Sequence, residues 1–332
     1  MIETFRADLP HGITLSCRAA GALDAPLLMF LHGFPEAAFV WDELLLHFAD
    51  RYRCLAPNLR GFEHSSAPAE VEAYRVKHLM ADIEALAGHC NRAAGRAADA
   101  PMEALVAHDW GGAVAWTFAV QRPALLRRLV IVNSPHPATF LRELQHSPAQ
   151  QAASAYMNFL CRPDAEALLA ANDFARMWPF MVQSGAASPR LAAPRRLIPS
   201  GGDTAGVLGS PSGDEPVGSG WLTDAVKAQY REVWSAGLQG GLNYYRASPL
   251  RPPTPEDRSL MVLQFPPEFV TVQVPTLVIW GEADVALLPA LLVGLEAYVP
   301  RMRLVRVPAA THWIVHEQPS LVASEIEVAL KA

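Results

Sequence analysis

The sequence predicts an α/β protein with a mostly parallel, twisted sheet flanked by helices and a helical cap inserted between two of its strands. Two observations carry this reading. Apolar runs of strand length alternate with helical segments as far as "RRLVIVNS", and the same alternation resumes at "PTLVIWG". The roughly 110 residues between them are rich in Ala, Leu, Met and aromatic residues at helical spacing and contain no strand-like run. The expected division is a core of residues 1–137 and 250–332 with a cap over 138–249.

The elements follow in order. "ETFRAD" and "ITLSCRA" form an N-terminal hairpin, and "PLLMFLHG" is a buried strand ending in a glycine loop. A helix at "WDELLLHFA", a strand at "RCLAPNL", a helix at "KHLMADIEALAGHC" and a strand at "MEALVAH" come next. The helix "GAVAWTFAVQR" and the strand "RRLVIVNS" complete the first half. After the insertion come "PTLVIWG", a helix over "PALLVGLEAYV", the strand "MRLVRVP" and a final helix from about Ser320 to Leu330. Within the cap, half of the 36 residues from Gly185 to Gly220 are Gly, Pro or Ser, a composition that predicts a mobile loop over 185–220.

Composition narrows the function classes. A chain of 332 residues that is 51% hydrophobic and 18% charged buries a large core. Its net charge of −6 and its lack of any Lys/Arg block argue against nucleic acid and anionic membrane as partners. The start "MIETFRADLPHGITL" has no apolar leader, and no later window is long and apolar enough to span a bilayer, so a cytoplasmic protein is expected. Cys17, Cys54, Cys90 and Cys161 are scattered without metal-ligand spacing, which predicts neither a disulfide framework nor a metal site.

The chemistry is concentrated in "ALVAHDWGGAVAW". Ala107, Asp109 and Gly111 form a small-x-nucleophile-x-small pattern between a strand and a helix, the context of a nucleophile elbow. Such a turn lifts one side chain above the sheet at a helix N-terminus, where dipole and free N–H groups favour an ionised carboxylate. "LHGFPE" follows the first core strand, so the amides of Phe34 and Trp110 are the candidate oxyanion hole. His312 stands in the loop after the last strand and Asp284 in the loop after the preceding one. The order nucleophile, acid, histidine is that of an α/β hydrolase. Glu282 competes for the acid's place, and Asp284 is preferred because it lies further beyond the sheet edge; Asn133, at a third possible acid position, cannot carry a charge.

On "HGFPE" and "HDWGG" the chain resembles the α/β-hydrolase fold and, within it, the soluble epoxide hydrolases, over nearly its whole length. The resemblance implies two tyrosines of the cap as acids, and "YMNFLCRP" and "LNYYR" put Tyr156 and Tyr245 in those roles, with Tyr244 one residue away. It implies conversion of a small apolar epoxide to a vicinal diol through an ester on Asp109, hydrolysed by water that His312 activates, without a cofactor or metal. Phe34, Trp110, Met157 and Trp178 are the expected substrate-facing residues, and Phe159, Phe180 and Met181 add apolar surface that ordinary cap packing explains equally well. A homodimer is compatible with the sequence. The Asp-nucleophile relatives, haloalkane and fluoroacetate dehalogenases, are the alternative. They normally add an Asn where this chain has Phe34, or Arg residues where it has Trp110 and Ala113. One departure has no functional reading at this level: relatives commonly show an Asp and then "RGYG" where this chain has Asn58, Phe62 and Glu63 in "NLRGFEHSS".

Overall fold

The computed structural model describes residues 1–182 and 220–331. Apart from Gly220, the loop expected over 185–220 therefore lies outside the described residues. Eight strands form one sheet: β1 (Glu3–Asp8), β2 (Thr14–Ala20), β3 (Leu27–Leu31), β4 (Arg53–Pro57), β5 (Ala104–His108), β6 (Leu129–Val132), β7 (Thr276–Gly281) and β8 (Met302–Val307). Their spatial order is β1-β2-β4-β3-β5-β6-β7-β8. β1 and β2 make the expected antiparallel hairpin and β2 also pairs antiparallel with β4, whereas every pair from β4 across to β8 is parallel.

The burial explains why the core strands read as continuous apolar runs. Every residue of β3, β4, β5, β6 and β7 is buried, as a parallel sheet covered by helices on both faces requires. The edge strands β1 and β8 keep exposed residues. At the β8 edge Arg306 pairs with Glu282 and Arg303 with Glu325, charges that discourage further strand pairing there.

Helices α1 (Asp42–Phe48), α2 (Val76–Ala93) and α3 (Asp109–Gln121) lie between the first parallel strands. In α2, Leu79, Met80, Ile83, Leu86 and Ala87 are buried, the spacing of one helix face. The insertion between β6 and β7 is helical: α4 (Pro137–His146), α5 (Pro148–Ala153), α6 (Tyr156–Leu160), α7 (Ala165–Phe174), α8 (Trp178–Met181), α9 (Asp224–Ser235) and α10 (Gln239–Ala247). Side chains that accept an early helix N–H start several of these: His136 for α4, Ser147 for α5 and Thr223 for α9. α11 (Ile314–Glu317) and α12 (Pro319–Lys331) follow β8. This is the α/β-hydrolase topology.

One expected element is absent as a continuous helix. "PALLVGLEAYV" forms two 3-10 turns, Pro289–Leu292 and Leu295–Ala297, because Gly294 between them takes φ +75°, a left-handed conformation that ends a right-handed helix. Among the described residues no helix is long and apolar enough to cross a membrane.

The loop after β4 shows what became of the departure at residues 58–63. Asn58 Oδ1 accepts the Ala38 N–H at 2.7 Å, its amide donates to Glu63, and Ser65 Oγ donates to the Asn58 carbonyl at 2.6 Å. Asn58 and Glu63 thus tie the two ends of this loop to each other and to the loop after β3. Arg60 donates two hydrogen bonds to buried Asp82 at 2.6 and 2.8 Å, and Phe62 lies edge-on to His32 and to Tyr244 of α10. The loop therefore seats the insertion on the sheet.

Candidate active site

The carboxyl ends of β3, β5, β6, β7 and β8 converge on one place, the usual site location in an open parallel sheet. Asp109 directly follows β5 and takes φ +48°, a region that few residues other than glycine occupy. That conformation, stabilised by Ser134 Oγ donating to the Asp109 carbonyl at 2.6 Å, turns the carboxylate out of the sheet at the start of α3. Two glycines permit the crowding. A Cβ on Gly33 would sit 2.3 Å from Asp109 Cβ and Oδ1, and one on Gly111 would sit 2.5 Å from the Leu31 carbonyl oxygen.

The loop after β3 supplies a donor to that carboxylate, since the Phe34 N–H donates to Asp109 Oδ1 at 2.8 Å. His32 steadies this loop: its Nδ1–H donates to the Gly33 carbonyl at 2.9 Å while its Nε2 accepts the Leu59 N–H at 3.0 Å. Burial pushes the His32 imidazole down to about 4, so it is neutral and the tautomer is fixed by these two bonds. The amide of Trp110 lies in the first turn of α3, where helix N–H groups lack partners inside the helix.

His312 faces the same carboxylate from the loop after β8. Its Nδ1 is 2.7 Å from Asp284 Oδ2, and its Nε2 is 3.6 Å from Asp109 Oδ2. Asp284 is wholly enclosed. Its Oδ1 accepts the N–H groups of Ala286 and Leu287 at 2.9 Å each, and its Oδ2 also accepts from Asn133 Nδ2 at 2.9 Å. Burial raises the Asp284 carboxyl, but the adjoining His312 outweighs it, and the net shift is downward. Burial likewise lowers His312, and Asp284, then Asp109 and Glu36, outweigh it and bring the imidazole up to about 9. Glu282 points elsewhere, paired with Arg306 at 2.6 Å.

Two phenols of the insertion complete the arrangement. The rings of Tyr156 and Tyr245 lie 6.2 Å apart; Tyr245 also packs edge-on against Trp110 at 5.0 Å and Phe34 at 5.4 Å. Burial, and then neighbouring negative charge that includes Asp109, pushes both phenols up, so both keep their protons. Tyr244 is engaged differently: its hydroxyl donates to the Arg60 carbonyl at 2.9 Å.

Known proteins resemble this chain over nearly its whole length. A family described as "alpha/beta hydrolase fold" matches residues 26–186. The AB hydrolase superfamily protein YfhM of Bacillus subtilis is 32% identical over 94% of this chain and 92% of its own. Epoxide hydrolase 3 of Xenopus tropicalis is 30% identical over 96% of this chain and 75% of its own. A solved structure from work on novel epoxide hydrolases in metagenomes from hot environments is 34% identical, superposes with a TM-score of 0.77 and covers 99% of both chains. The chain belongs to the epoxide hydrolase family.

In this family member the structure brings Asp109, Phe34, Trp110, Asp284, His312, Tyr156 and Tyr245 into one cluster. Met157 is buried next to Tyr156 in α6. The Trp178 ring packs on Trp234 of α9 at 4.7 Å, with the Arg231 guanidinium over its face. The ring from the same short helix that joins the cluster is Phe180, 5.3 Å from Tyr156 and 6.5 Å from Phe34.

Sequence reasoning missed a second set of buried polar residues behind the cluster. Glu36 is fully enclosed, with His108 Nδ1 2.8 Å from Oε2 and His316 Nε2 3.0 Å from Oε1. Burial raises the Glu36 carboxyl, but His108 and His316 outweigh it and hold it well below the usual carboxylate range. His108 Nε2–H donates to the His312 carbonyl at 2.9 Å, so the loop carrying His312 is tied to the loop carrying Phe34. The signal was present in "HGFPE" and "AHDWGG", where a Glu and a His stand in otherwise apolar or small-residue runs that fold into the interior.

Proposed function

We propose that this protein hydrolyses a small apolar epoxide to a vicinal diol through an ester on Asp109. The observation that carries the reading is the pair of protonated phenols, half-buried Tyr156 and buried Tyr245, whose rings lie 6.2 Å apart beside an ionisable carboxylate on a nucleophile elbow. Asp109 Oδ1 is occupied by the Phe34 N–H, which leaves Oδ2 to attack an epoxide carbon from behind. The ring oxygen leaves as an alkoxide and takes a proton from a phenol, the one donor type here that is both neutral and a proton source.

Once esterified, Asp109 has lost its charge. One of the groups that raise His312 is thereby removed, and the imidazole is more readily in the neutral form that can accept a proton when a base is needed. His312 then takes a proton from water entering beside Nε2, and Asp284 stabilises the cation. The oxyanion forms on Oδ1, where the Phe34 N–H already stands and the Trp110 N–H is near. Phe34, Trp110, Tyr245, Tyr156 and Phe180 give the site an aromatic wall, which suits an apolar substituent on the epoxide. The names of the relatives support the same activity.

The test is a single turnover in heavy-oxygen water with enzyme in excess, on an epoxide found by screening terminal, styrene-type and fatty epoxides. The first diol should be unlabelled, because its new oxygen comes from Asp109, and the enzyme should gain the label. Labelled diol from unlabelled enzyme would overturn the ester route.

A further inference from the structure

Helix α9 is part of the insertion, yet two of its side chains reach the loop that supplies the Phe34 amide. Trp234 Nε1–H donates to the Pro35 carbonyl at 2.7 Å. One turn earlier, the Tyr230 hydroxyl lies 2.9 Å from His316 Nε2 and 3.5 Å from Glu36 Oε1. Pro35 and Glu36 are the two residues directly after Phe34, and all four groups are buried. The neighbouring helix α10 closes on the same loop from the other side: a Cβ on Gly241 would sit 2.8 Å from the Phe34 ring. The loop is thus fixed by the insertion through a main-chain carbonyl, a side-chain carboxylate and an aromatic face.

We infer that Trp234, assisted by Tyr230, is a positioning residue that holds the oxyanion amide of Phe34 in place, so that the seating of the insertion sets the rate of ester hydrolysis. Neither side chain is placed near the reacting atoms. Trp234 acts through Pro35, and Tyr230 acts through Glu36 and His316. The Trp234 indole is also the ring against which Phe174, Trp178 and Tyr230 pack, so its N–H is held in a fixed direction by aromatic neighbours on several sides. The loss of that N–H leaves a buried carbonyl without a donor, which is costly enough for the loop to shift towards another partner. A shift of the loop moves the Phe34 N–H away from Oδ1, and oxyanion donors act only when aimed at the developing charge. In the first chemical step the same N–H merely binds a carboxylate that is losing its charge, so the second step should suffer more.

The kinetic part rests on the ester mechanism proposed above; the structural part does not. Trp234→Phe keeps an aromatic ring but removes the N–H together with part of the indole, so its packing loss is judged by the comparison of the two chemical steps, whereas Tyr230→Phe removes only the O–H. Amide hydrogen exchange followed by NMR at Phe34 tests the positioning with no substrate present. In Trp234→Phe the Phe34 amide should exchange about 10-fold faster or more while amides of β5 are unchanged, with a smaller effect in Tyr230→Phe. In stopped-flow single turnovers, ester hydrolysis should slow by about 10- to 100-fold, less than the loss of an oxyanion donor itself. Ester formation should slow by less than about 3-fold, so that an adduct of mass equal to the epoxide accumulates. Unchanged exchange at Phe34 overturns the inference, and so does equal slowing of both steps, which is what a general loss of packing would give. If neither variant nor the parent protein forms an ester, the epoxide reading fails and the exchange result alone decides the role of Trp234.

Discussion

The Nε2 atom of His312 lies 3.6 Å from Oδ2 of Asp109, beyond hydrogen-bond distance, while the other ring nitrogen is bound to Asp284 at 2.7 Å. His312 is therefore oriented towards the carboxylate without being bonded to it, which leaves Nε2 free to accept a proton from water after Asp109 has reacted. His312→Gln should still be alkylated by an epoxide but should not release diol. Intact-protein mass should rise by the full mass of the epoxide, and the modified peptide should contain Asp109. A haloalkane substrate would instead add its mass less that of the hydrogen halide. Absence of any adduct with epoxides that the parent protein consumes would refute this assignment.

The charge state of His312 also predicts a pH dependence of stability. Folding raises the imidazole from its ordinary value of 6.5 to about 9, with Asp284 and Asp109 outweighing burial. A group raised in this way stabilises the folded protein fully below about pH 6.5, and the contribution is lost as pH rises through about 9. The shift corresponds to about 3 kcal/mol. Thermal unfolding of the parent protein should therefore decline between pH 6.5 and 9 more steeply than that of His312→Gln. Parallel decline in the two proteins would show that another group is responsible.

The crowding at Gly33 leads to a third expectation. A methyl group there would overlap both Cβ and Oδ1 of Asp109, and neither can retreat, because Asp109 is already at φ +48° with its main chain held by Ser134. Gly33→Ala should cost about 1 to 3 kcal/mol of stability, the usual range for overpacking. Ester formation should fall by at least about 100-fold as the carboxylate is displaced. Kinetics near those of the parent protein would mean that the loop after β3 yields easily, and would contradict the close packing described here.

What the sequence made legible follows from range. The core strands were legible because burial on both faces makes each one a continuous apolar run, and Asp109 because a nucleophile elbow needs small residues within two positions of it. Asp284 was separable from Glu282 only by its place in the loop; in the structure the decision is made by partners far along the chain, His312 for one and Arg306 for the other. Asn133 was set aside as a residue that cannot carry charge, yet it takes φ +38° and donates to Asp284, a role that needs an amide and not an acid. The tie between Glu36, His108 and His316 joins residues up to 280 positions apart and leaves no local pattern. The helix expected over "PALLVGLEAYV" failed at Gly294, where periodicity was outweighed by one left-handed residue. In α10 the periodicity of apolar residues could not choose between adjacent tyrosines, because both Tyr244 and Tyr245 are buried.

That last ambiguity can be tested directly, because the two side chains have different surroundings. Tyr244 donates to the Arg60 carbonyl, so Tyr244→Phe should cost about 1 kcal/mol of stability and leave ester formation nearly unchanged. Tyr245 packs on Trp110 and Phe34 and is raised in part by the charge of Asp109, as is Tyr156. Removal of one phenol leaves the other to protonate the alkoxide, so Tyr156→Phe and Tyr245→Phe should each slow ring opening by about 10- to 1,000-fold. A loss of that size corresponds to one hydrogen bond worth about 1.4 to 4 kcal/mol in the transition state. The double variant should be nearly inactive. Ester hydrolysis depends on His312 and not on the phenols, so the slowed step should appear as a lower rate of adduct formation in the His312→Gln background. If Tyr244→Phe is the damaging change and Tyr245→Phe is silent, the register of α10 is wrong by one residue. If all three are silent while a halide substrate is consumed, the aromatic hydroxyls are packing groups and the carboxylate serves a dehalogenase.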